Sequence, residues 1–371
     1  MITAIVGSPS KTNLMLAYGW RALGVDARVL WPSEAEIVLT EDDVALLRLD
    51  VLPTLDGVEP GLEIAQVLER RGVRMLNPPG ALLAAHDKLL TAELLSRADV
   101  PHPWTIHLEP GGPMPPIVFP CVLKPRFGSW GQDVFLCRNE ADLTSVLAAA
   151  SRRPWWSRHG AIMQEFVGPA PRDVRVLIAG ERVVAGAQRV AAPGEWRTNV
   201  TLGGRVTRAE IPEGAEDLAH AAARALGIHF AGVDLLPSAD GWLVLELNGA
   251  VDFDLRYALP GIEPFAAILN GLGIDYPRAE ARPGMVLPSD RTEVVMEKTV
   301  RGKPVRVGDE IEITGHAVGD APRTAEILEI LGEPGHERFR VRWEDGHESI
   351  FFPAEDAVIR RPRQRRKAKA T

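Results

Sequence analysis

Oxygen-bearing side chains recur at short spacing around residue 240 and could hold a metal ion. They are Asp234, Glu246 and Asn248. They lie in two β-rich runs on either side of residues 237–241, a cluster of turn formers, which predicts an antiparallel hairpin. Because side chains alternate along a strand, Glu246 and Asn248 share a face, and a hairpin loop of residues 237–241 or 238–242 adds Asp234 to it. Neighbouring carboxylates repel each other unless a cation lies between them, and hard oxygen ligands suit Mg²⁺.

The other face of this hairpin is predicted to be core. It carries Leu243, Leu245 and Leu247 on one strand and Val233 and Leu235 on the other. One apolar face and one polar face are also ordinary for an antiparallel sheet whose outer side meets water. The hairpin pattern alone therefore leaves two interpretations open, a metal site and a solvated outer face.

A lysine ends a predicted buried strand earlier in the chain. Residues 117–125 are apolar apart from Lys124, and a glycine-containing loop of residues 126–133 follows. The lysine charge and the backbone N–H groups of such a loop are suited to phosphate oxygens. Residues 7–12 also contain a glycine and a lysine, but they lack the G-x-x-x-x-G-K-[ST] spacing and are predicted to be a strand-to-helix turn.

The elements that must position these residues alternate between strand and helix. Residues 1–80 show this alternation throughout, which predicts a small α/β layer with a parallel sheet. Downstream, an antiparallel hairpin is predicted around Gly180. The predicted strands are residues 2–6, 27–31, 73–76, 117–125, 161–167, 173–178 and 182–187, and the predicted helices are residues 13–23, 61–71, 81–96, 140–150 and 213–226.

Composition restricts the compartment and the class of protein. A chain of 371 residues is expected to form two or three domains. Cys121 and Cys137 lie in apolar strand-like runs and are predicted to be buried thiols. The first residues lack the basic start of a signal peptide, and no apolar run is long enough to span a bilayer. We therefore expect a cytoplasmic protein without membrane contact.

Charge is distributed unevenly along the chain. The formal net charge is −8, but residues 360–371 carry seven basic side chains and no acidic one, so the remainder carries a net charge of −15. An acidic body argues against a broad nucleic-acid-binding surface. For the basic tail, a weak contact with nucleic acid or with an acidic partner and a merely solvated end both stay open.

Several short motifs follow one another between residues 86 and 250. They are Asp87-Lys88, residues 122–125 with their glycine loop, residues 164–167, Asp173-Val174-Arg175, Arg197-Thr198-Asn199, and Asp234 with Glu246 and Asn248. Each is weak alone, but their joint order and spacing resemble the ATP-grasp superfamily, and most closely its RimK-like glutamate-ligase branch. The resemblance covers roughly residues 1–275 and favours the metal-site interpretation of the hairpin.

The resemblance implies a role for each of these residues. The predicted nucleotide contacts are Lys88 and Lys124 for the phosphates of ATP, the backbone of Glu165, Phe166 and Val167 for adenine, and Asp173 to complete the pocket. The predicted ligands of Mg²⁺, or alternatively of Mn²⁺, are Asp234, Glu246 and Asn248. The predicted catalytic residues, which would face the γ-phosphate and the reacting acyl group, are Arg189, Arg197 and Asn199.

The resemblance also implies the fold and the reaction. The expected architecture is the α/β (α+β) ATP-grasp fold with a small N-terminal pre-ATP-grasp α/β domain. The expected enzyme is an ADP-forming carboxylate–amine ligase, in which ATP activates a carboxylate as an acyl phosphate that an amine then captures. The enzyme would add glutamate or another amino acid to an amine of a peptide, a protein or a small molecule. The alternative is a non-catalytic nucleotide-binding adaptor that recruits partners through its C-terminal barrel and tail. Self-association into a homo-oligomer stays open.

Domain boundaries follow changes of composition. Residues 1–80 and 81–276 are the predicted pre-ATP-grasp and ATP-grasp domains, and the proline-, glycine- and charge-rich residues 277–303 are the predicted linker. Residues 304–360 contain short strands with Gly and Asp turns, and they resemble a short bacterial domain family of unknown function with an all-β SH3-like barrel. Residues 361–371 are predicted to be a disordered basic tail.

Two stretches depart from the glutamate-ligase branch. Directly after the last predicted metal ligand that branch usually reads Ala-Ser-Pro, whereas residues 249–254 of this chain read Gly-Ala-Val-Asp-Phe-Asp. We expect Asp252 or Asp254 to cap the next helix, with selection of the amine as the alternative. The glycine loop carries Trp130 and Asp133 where relatives often have smaller residues, a difference that bears on the substrate more than on ATP.

Overall fold

The structure is a computed structural model, and it describes residues 1–168, 172–277, 299–300, 303–313, 323–331, 338–343, 348–351 and 357–360. The chain divides into two compact units, Met1–Ala279 and Glu280–Thr371. Within the described residues, no helix combines the length and the apolar character needed to cross a membrane.

A four-stranded parallel sheet forms the N-terminal layer of the first unit. Its strands are β1 (Thr3–Val6), β2 (Ala27–Leu30), β3 (Val44–Leu47) and β4 (Arg74–Leu76), in the order β2-β1-β3-β4. The connecting helices are α1 (Lys11–Ala22), α2 (Pro32–Val38) and α3 (Leu62–Arg70). Strands β1 and β3 are buried along their whole length, as expected of parallel strands covered on both faces. The predicted parallel α/β layer is confirmed, and α2 and β3 are additions to the predicted elements.

Two helices replace the single helix predicted for residues 81–96. They are α4 (Pro79–His86) and α5 (Lys88–Arg97). The backbone of Asp87 between them is extended, and its carboxylate accepts hydrogen bonds from the N–H groups of Leu89 and Leu90 as the N-cap of α5. The prediction of one helix is wrong because Asp87 starts a new helix inside an apolar pattern that continues. This break makes Lys88 the first residue of α5.

The second sheet is antiparallel and has four strands. They are β5 (Thr105–Leu108), β6 (Cys121–Pro125), β7 (Phe135–Cys137) and β8 (Ala161–Glu165), in the order β5-β8-β6-β7. Helices α6 (Glu140–Ala150) and α7 (Pro154–His159) contribute to its core. Cys121 and Cys137 face each other across β6 and β7 as buried free thiols, as predicted, and burial raises the pKa of the Cys121 thiol to about 12.

The third sheet has five antiparallel strands. They are β9 (Arg172–Ala179), β10 (Arg182–Val190), β11 (Arg205–Arg208), β12 (Phe230–Ser238) and β13 (Gly241–Asn248), in the order β11-β10-β9-β12-β13. Helix α8 (Ala215–Leu226) lies between β11 and β12 in the chain, and α9 (Pro264–Gly271) follows β13. The predicted hairpins around residues 180 and 240 are both present.

The two faces of the third sheet have different neighbours. The even-numbered residues of β9 from 174 to 178 pack with α8 in one apolar core. Leu177 and Ala179, on the other face, pack with α9 and α1 in a second core. Asp173 and Arg175 lie on this second face as well, because they share the parity of Leu177. The second face therefore changes from apolar to charged along β9, and its charged end contains the candidate site.

The described strands of the second unit are all antiparallel. Strand β14 (Thr299–Val300) pairs with β15 (Lys303–Pro304). Strands β16 (Glu310–Ile313), β17 (Arg323–Leu331), β18 (Arg338–Trp343), β19 (Glu348–Phe351) and β20 (Ala357–Arg360) form a sheet in the order β19-β18-β17-β16-β20. Closure into an SH3-like barrel stays a prediction. The predicted tail, and all of the predicted linker except residues 277, 299–300 and 303, lie outside the described residues.

Candidate active site

A cavity of about 310 Å³ is lined by the second and the third sheet. Two loops also line it, the glycine loop (residues 126–133) and a loop of residues 195–199, which we call the arginine loop. Ten of the twelve predicted site residues line this cavity, although they come from distant parts of the chain. The ten are Lys88, Lys124, Glu165, Phe166, Val167, Asp173, Arg189, Arg197, Asn199 and Glu246. The other two, Asp234 and Asn248, do not line it.

Two lysines bring positive charge to the cavity. Lys88, at the start of α5, donates from Nζ to the carbonyl oxygen of Gly128 at 2.6 Å, and its Nζ lies 3.5 Å from the carboxylate of Glu246. Lys124, near the end of β6, donates from Nζ to Gln164 Oε1 at 2.8 Å. Burial lowers the pKa of Lys124 to about 8, and the nearby charge of Glu246 opposes this shift. Two ammonium groups on one cavity are suited to an anion with several oxygens.

An apolar slot borders the end of β8. Residues 165–167 leave the second sheet here and line the cavity. The ring of Phe166 meets the ring of Trp196 edge to face, with centroids 5.6 Å apart. Aliphatic residues also line the cavity, among them Val122, Leu236 and Leu245. Backbone polar groups beside apolar side chains are suited to a flat heteroaromatic group such as a purine base. Trp196 is absent from the predicted site, because a tryptophan in a polar loop carries no pattern that marks it.

Carboxylates and arginines alternate along the charged end of the third sheet. Arg175 donates to both oxygens of Asp234 at 2.7 and 2.9 Å. Arg189 donates to both oxygens of Asp173 at 2.6 and 2.8 Å and to Asp234 at 2.6 Å, and Thr198 also donates to Asp173. Strand register explains the network, since Asp234 pairs with Arg175 across β12 and β9, and Asp173 pairs with Arg189 across β9 and β10.

Burial and the two arginines act in opposite directions on Asp234. Its side chain is 1% exposed, and burial alone would raise the pKa of its carboxyl group. Arg175 and Arg189 nevertheless hold the pKa of Asp234 well below its usual range, so the group is ionised at neutral pH. The sequence predicts a catalytic role for Arg189 and no role for Arg175, whereas the structure makes both of them partners of Asp234.

The hairpin that carries Asp234 and Glu246 differs in register from both predicted forms. Its loop is two residues long, because Ser238 pairs with Gly241. Asp234 pairs with Glu246, but Leu235 pairs with residue 244, so β13 carries one extra residue in a bulge. The predicted loops are therefore wrong, and the bulge restores the expected result that the two carboxylates lie side by side on one face.

The same bulge changes which residues of β13 are buried. Val244 and Leu247 are buried in the core, whereas Leu243 and Leu245 are only partly buried. Leu245 is the extra residue of the bulge and lines the cavity. The predicted core face of β13 is therefore wrong at residues 243 and 245, because a bulge reverses the alternation on one side of it.

Asn248, the third predicted metal ligand, is the last residue of β13. Its side-chain oxygen accepts a hydrogen bond from the N–H of Ala250 at 2.9 Å. Among the described residues, no three His, Cys, Asp or Glu side chains form a group that could hold a metal. The predicted set contains only two carboxylates, with Asn248 as an amide ligand. Hard oxygen donors of this kind suit Mg²⁺ better than softer metals.

The glycine loop and the arginine loop are docked on each other. Arg197 donates to the carbonyl oxygen of Gly131 at 3.3 Å, and its other N–H groups bind the carboxylate of Glu195 at 2.9 and 3.0 Å. The hydrogen bonds from Arg197 lower the pKa of Glu195 to about 2. Gly131 has a φ of +71°, and a Cβ there would lie 2.6 Å from Asn199 Oδ1, so the contact requires glycine. Arg197 and Asn199 are thus held against the glycine loop.

Comparisons with known proteins agree with these features. Residues 85–269 match the RimK-like ATP-grasp domain, and residues 305–359 match a domain of unknown function, DUF1918. A probable alpha-L-glutamate ligase of Xanthomonas oryzae pv. oryzae is 34% identical over 296 residues, which cover 73% of this chain and 97% of the relative. A probable alpha-L-glutamate ligase of Haemophilus influenzae is 29% identical over 243 residues, which cover 64% of this chain and 78% of the relative.

A solved structure shares the fold. The crystal structure of D-alanine–D-alanine ligase from Bacillus anthracis complexed with ATP matches with a TM-score of 0.53 and 16% identity, over 73% of this chain and 94% of that chain. The expected ATP-grasp architecture and the sequence resemblance are both confirmed. The chain therefore belongs to the RimK-like ATP-grasp family and is an ATP-grasp ligase.

Proposed function

We propose that this ligase joins a carboxylate to an amine, releases ADP and phosphate, and uses glutamate as one of its substrates. One observation carries the proposal: Lys88, Lys124, the apolar slot and Glu246 all line a single cavity. A triphosphate, a base and a metal-binding carboxylate can then meet in one site. The relatives named as alpha-L-glutamate ligases support glutamate as the amino acid.

The nucleotide would extend from the apolar slot to the two lysines. The backbone of residues 165–167 would contact adenine, and Asp173 would complete the pocket. Lys88 and Lys124 would contact the phosphates. Both ammonium groups donate to neutral oxygens in the protein itself, and an anionic oxygen is the stronger partner for such a donor.

Mg²⁺ would be held by Glu246, Asp234 and Asn248. Glu246 lines the cavity, and its carboxylate is 3.5 Å from Lys88, which is longer than a good hydrogen bond. Asp234 accepts three hydrogen bonds from its arginines, and an ionised carboxylate has about four acceptor positions, so one position remains. When bound, the ion would supply positive charge that neutralises the phosphates. Mn²⁺ would fit the same ligands.

The reaction would consist of two substitutions. A carboxylate oxygen of the first substrate attacks the γ-phosphorus, the bond to the ADP oxygen breaks, and an acyl phosphate forms. The amine nitrogen of the second substrate then attacks the acyl carbon, phosphate leaves, and the nitrogen loses a proton. Arg197 and Asn199 would face the reacting groups, and Arg189 would hold the carboxylates beside them. Positioning and electrostatic stabilisation would account for most of the rate.

Amine-dependent release of ADP tests the proposal. The purified protein is given ATP, Mg²⁺ and pools of amino acids, short peptides and a host extract, each alone and in pairs. We expect ADP release that needs both a carboxylate and an amine, together with an amide product detected by mass spectrometry. Lys124→Met, which removes a proposed phosphate contact, is the negative control.

Two results would count against this proposal. ADP release that no amine increases, without an amide product, would contradict amide formation. Tight ATP binding without any substrate-dependent ADP release would favour the nucleotide-binding adaptor instead.

A further inference from the structure

The residues that directly follow Asn248 in the chain are held by hydrogen bonds from the N-terminal layer. Residues 249–251 follow β13, and we call them the exit segment. The N–H of Ala250 donates to the side-chain oxygen of Asn248 at 2.9 Å. The carbonyl groups on either side of Ala250, those of Gly249 and Val251, accept hydrogen bonds from two different side chains of the N-terminal layer.

Asn77 holds the first of these carbonyl groups. It follows β4 directly and is fully buried. Its amide nitrogen donates to the carbonyl oxygens of Gly249 at 3.3 Å and Phe230 at 2.8 Å. Its side-chain oxygen accepts from the N–H groups of His229 at 3.0 Å and Phe230 at 2.8 Å. These four bonds use the full hydrogen-bonding capacity of the Asn77 side-chain amide. Three of them go to residues at the start of β12, and the fourth goes to the exit segment.

Arg48 holds the second carbonyl group. It follows β3 directly and is 2% exposed. Its Nη2 donates to the carbonyl oxygen of Val251 at 2.8 Å, and its Nε donates to Asn13 Oδ1 at 2.6 Å. Its guanidinium carbon lies 5.5 Å from the centre of the Phe230 ring. Burial lowers the pKa of Arg48 to about 10, so the group keeps its charge at neutral pH.

Packing alone does not account for a charge at the position of Arg48. Its Nη1 is buried without a hydrogen-bond partner in the described part of the chain, and an aliphatic side chain would fill the space without desolvating a charge. An aliphatic side chain, however, could not donate a hydrogen bond to the exit segment.

The exit segment is also tightly enclosed at both of its ends. A Cβ on Gly249 would lie 2.5 Å from Leu82 Cδ1, so there is no room for a shift toward α4. Beyond the segment, Thr12 Oγ1 donates to the carboxylate of Asp252. The exit segment is therefore held by hydrogen bonds from the N-terminal layer at Gly249 and Val251, and packing against α4 leaves it no room to move at Gly249.

We propose that Arg48 and Asn77 are positioning residues for metal binding, and that they act through the exit segment on Asn248. Their hydrogen bonds fix the peptide groups around Ala250, whose N–H occupies one lone pair of the Asn248 oxygen and directs the other toward the ion. The inference rests on the proposed function, because it takes Asn248 as a ligand of Mg²⁺. The N-terminal layer contributes to the metal site in this way without touching the metal.

The Mg²⁺-dependent gain in ADP affinity tests this role without relying on turnover. ADP binding to the full-length protein is measured by calorimetry in Mg²⁺ and in EDTA, and the ratio of the two affinities is the readout. Arg48→Met removes the hydrogen-bond donors and keeps an unbranched apolar stem. We expect it to lower the ratio about 10-fold, as the loss of an outer partner of a metal ligand typically does, with affinity in EDTA within about twofold of wild type.

Arg74→Met is the matched control. Arg74, in β4, also donates two guanidinium hydrogen bonds to backbone carbonyl groups outside the N-terminal layer, those of Leu272 and Gly273 at 2.7 and 2.8 Å. Those groups follow α9 and do not belong to the exit segment. We expect Arg74→Met to keep the wild-type ratio, even if its melting temperature falls as far as that of Arg48→Met.

An unchanged ratio in Arg48→Met together with a lowered melting temperature would make Arg48 a packing residue and overturn the inference. If Arg48→Met does not fold, Asn77→Asp takes its place, because it removes the donor to Gly249 at almost constant volume. We expect Asn77→Asp to lower the ratio of the two ADP affinities as much as Arg48→Met does. An unchanged ratio in Asn77→Asp would again overturn the inference.

Glu246→Gln separates this inference from the proposed function. It should lose the Mg²⁺-dependent gain if the metal assignment is right. A gain that persists in Glu246→Gln would refute the metal site and the inference with it. A gain that is lost in Glu246→Gln but kept in Arg48→Met and Asn77→Asp would refute only the positioning role.

Discussion

The two sides of the cavity hold their positive charges in different ways. On one side, which we call the lysine wall, Lys88 and Lys124 donate to neutral oxygens. On the other side, Arg189 lines the cavity, and it shares the carboxylate of Asp234 with Arg175, which does not line the cavity. We call these two arginines the arginine wall, and both donate to carboxylates that are themselves buried. Both walls carry two cations, but only the arginine wall pairs each of them with an anion through short hydrogen bonds.

This difference separates a binding surface from a support. A lysine that donates to a neutral oxygen can exchange it for a phosphate oxygen and gain a stronger hydrogen bond. An arginine that is bound to a buried carboxylate cannot be displaced easily, because the carboxylate would keep a buried negative charge that no cation compensates. The lysine wall is therefore ready for an anion, whereas the arginine wall keeps Asp234 in one place and one ionisation state.

Breaking the arginine wall is expected to have the largest effect. Asp234→Asn keeps the shape of the side chain but removes the charge that Arg175 and Arg189 share. Removing one partner of a buried ion pair typically lowers the free energy of unfolding by about 3–5 kcal/mol, and urea denaturation would measure this loss. Asp26→Asn is the control, because it removes the exposed partner of Arg28 and should leave stability near wild type. An equal loss in both variants would contradict the account of the arginine wall.

Glu246 lies where the two walls meet, across from Asp234 and 3.5 Å from Lys88. Glu246→Gln should lower kcat about 100-fold or more, because it removes a charge that would hold the metal against the phosphates. The melting temperature should stay close to that of the wild type. Glu165→Gln is the control, since Glu165 is an exposed glutamate of the same cavity that we expect to act through its backbone. Near-normal turnover in Glu246→Gln would remove Glu246 from the metal site.

Weakening the lysine wall should affect binding more than stability. Lys124→Met keeps an apolar stem and removes the ammonium group. A hydrogen bond to a charged group contributes about 1.5–3 kcal/mol, so ATP affinity should fall about 10- to 100-fold in calorimetry. The melting temperature should fall little, because the substitution also removes the desolvation cost of a buried charge. Unchanged ATP affinity with a large drop in melting temperature would show that Lys124 is structural.

A change of pH should have a smaller effect on the same contact. The pKa of Lys124 is lowered by burial to about 8, so the ammonium group loses its proton between pH 7 and pH 9. ATP affinity should fall about 10-fold over this range, because phosphate binds the protonated form. The contribution of Lys124 to stability has the opposite sign: its folded pKa lies below its ordinary value of 10.5, so the free energy of unfolding rises as pH increases from about 8 toward 10.5.

Lys124→Met is also the control for this pH dependence. Calorimetry at both pH values should show a flatter profile in the variant than in the wild type. The same fall in affinity with and without Lys124 would assign the pH dependence to another group.

The sequence predicted which residues share the cavity better than how they are joined. Strand ends, a glycine loop and alternation are local signals, and they indicate Lys124, the glycine loop and Glu246. The other predicted lining residues come from the resemblance of the ordered motifs to the ATP-grasp superfamily. The arginine wall depends instead on contacts between residues 16, 45 and 59 positions apart. Those contacts arise only from the register of β9, β10 and β12, which no local pattern determines.

Two predictions are wrong for different reasons, the regular alternation of β13 and the single helix of residues 81–96. The bulge at Leu245 leaves no trace in the sequence, because leucines at 243, 245 and 247 look like regular alternation although the strand is irregular there. The break at Asp87 has a readable signal, an aspartate in front of a helix-forming run, but the apolar residues on both sides of it hide that signal.

A crystal structure with ADP and Mg²⁺ tests the central claim most directly. The account predicts phosphate oxygens at Lys88 and Lys124, and Mg²⁺ at about 2.0–2.1 Å from an oxygen of Glu246. The lysine wall should exchange at least one neutral oxygen for phosphate, while Arg175 keeps both hydrogen bonds to Asp234. Phosphates bound to the arginine wall, with Asp234 released from Arg175 and the lysines unchanged, would contradict it.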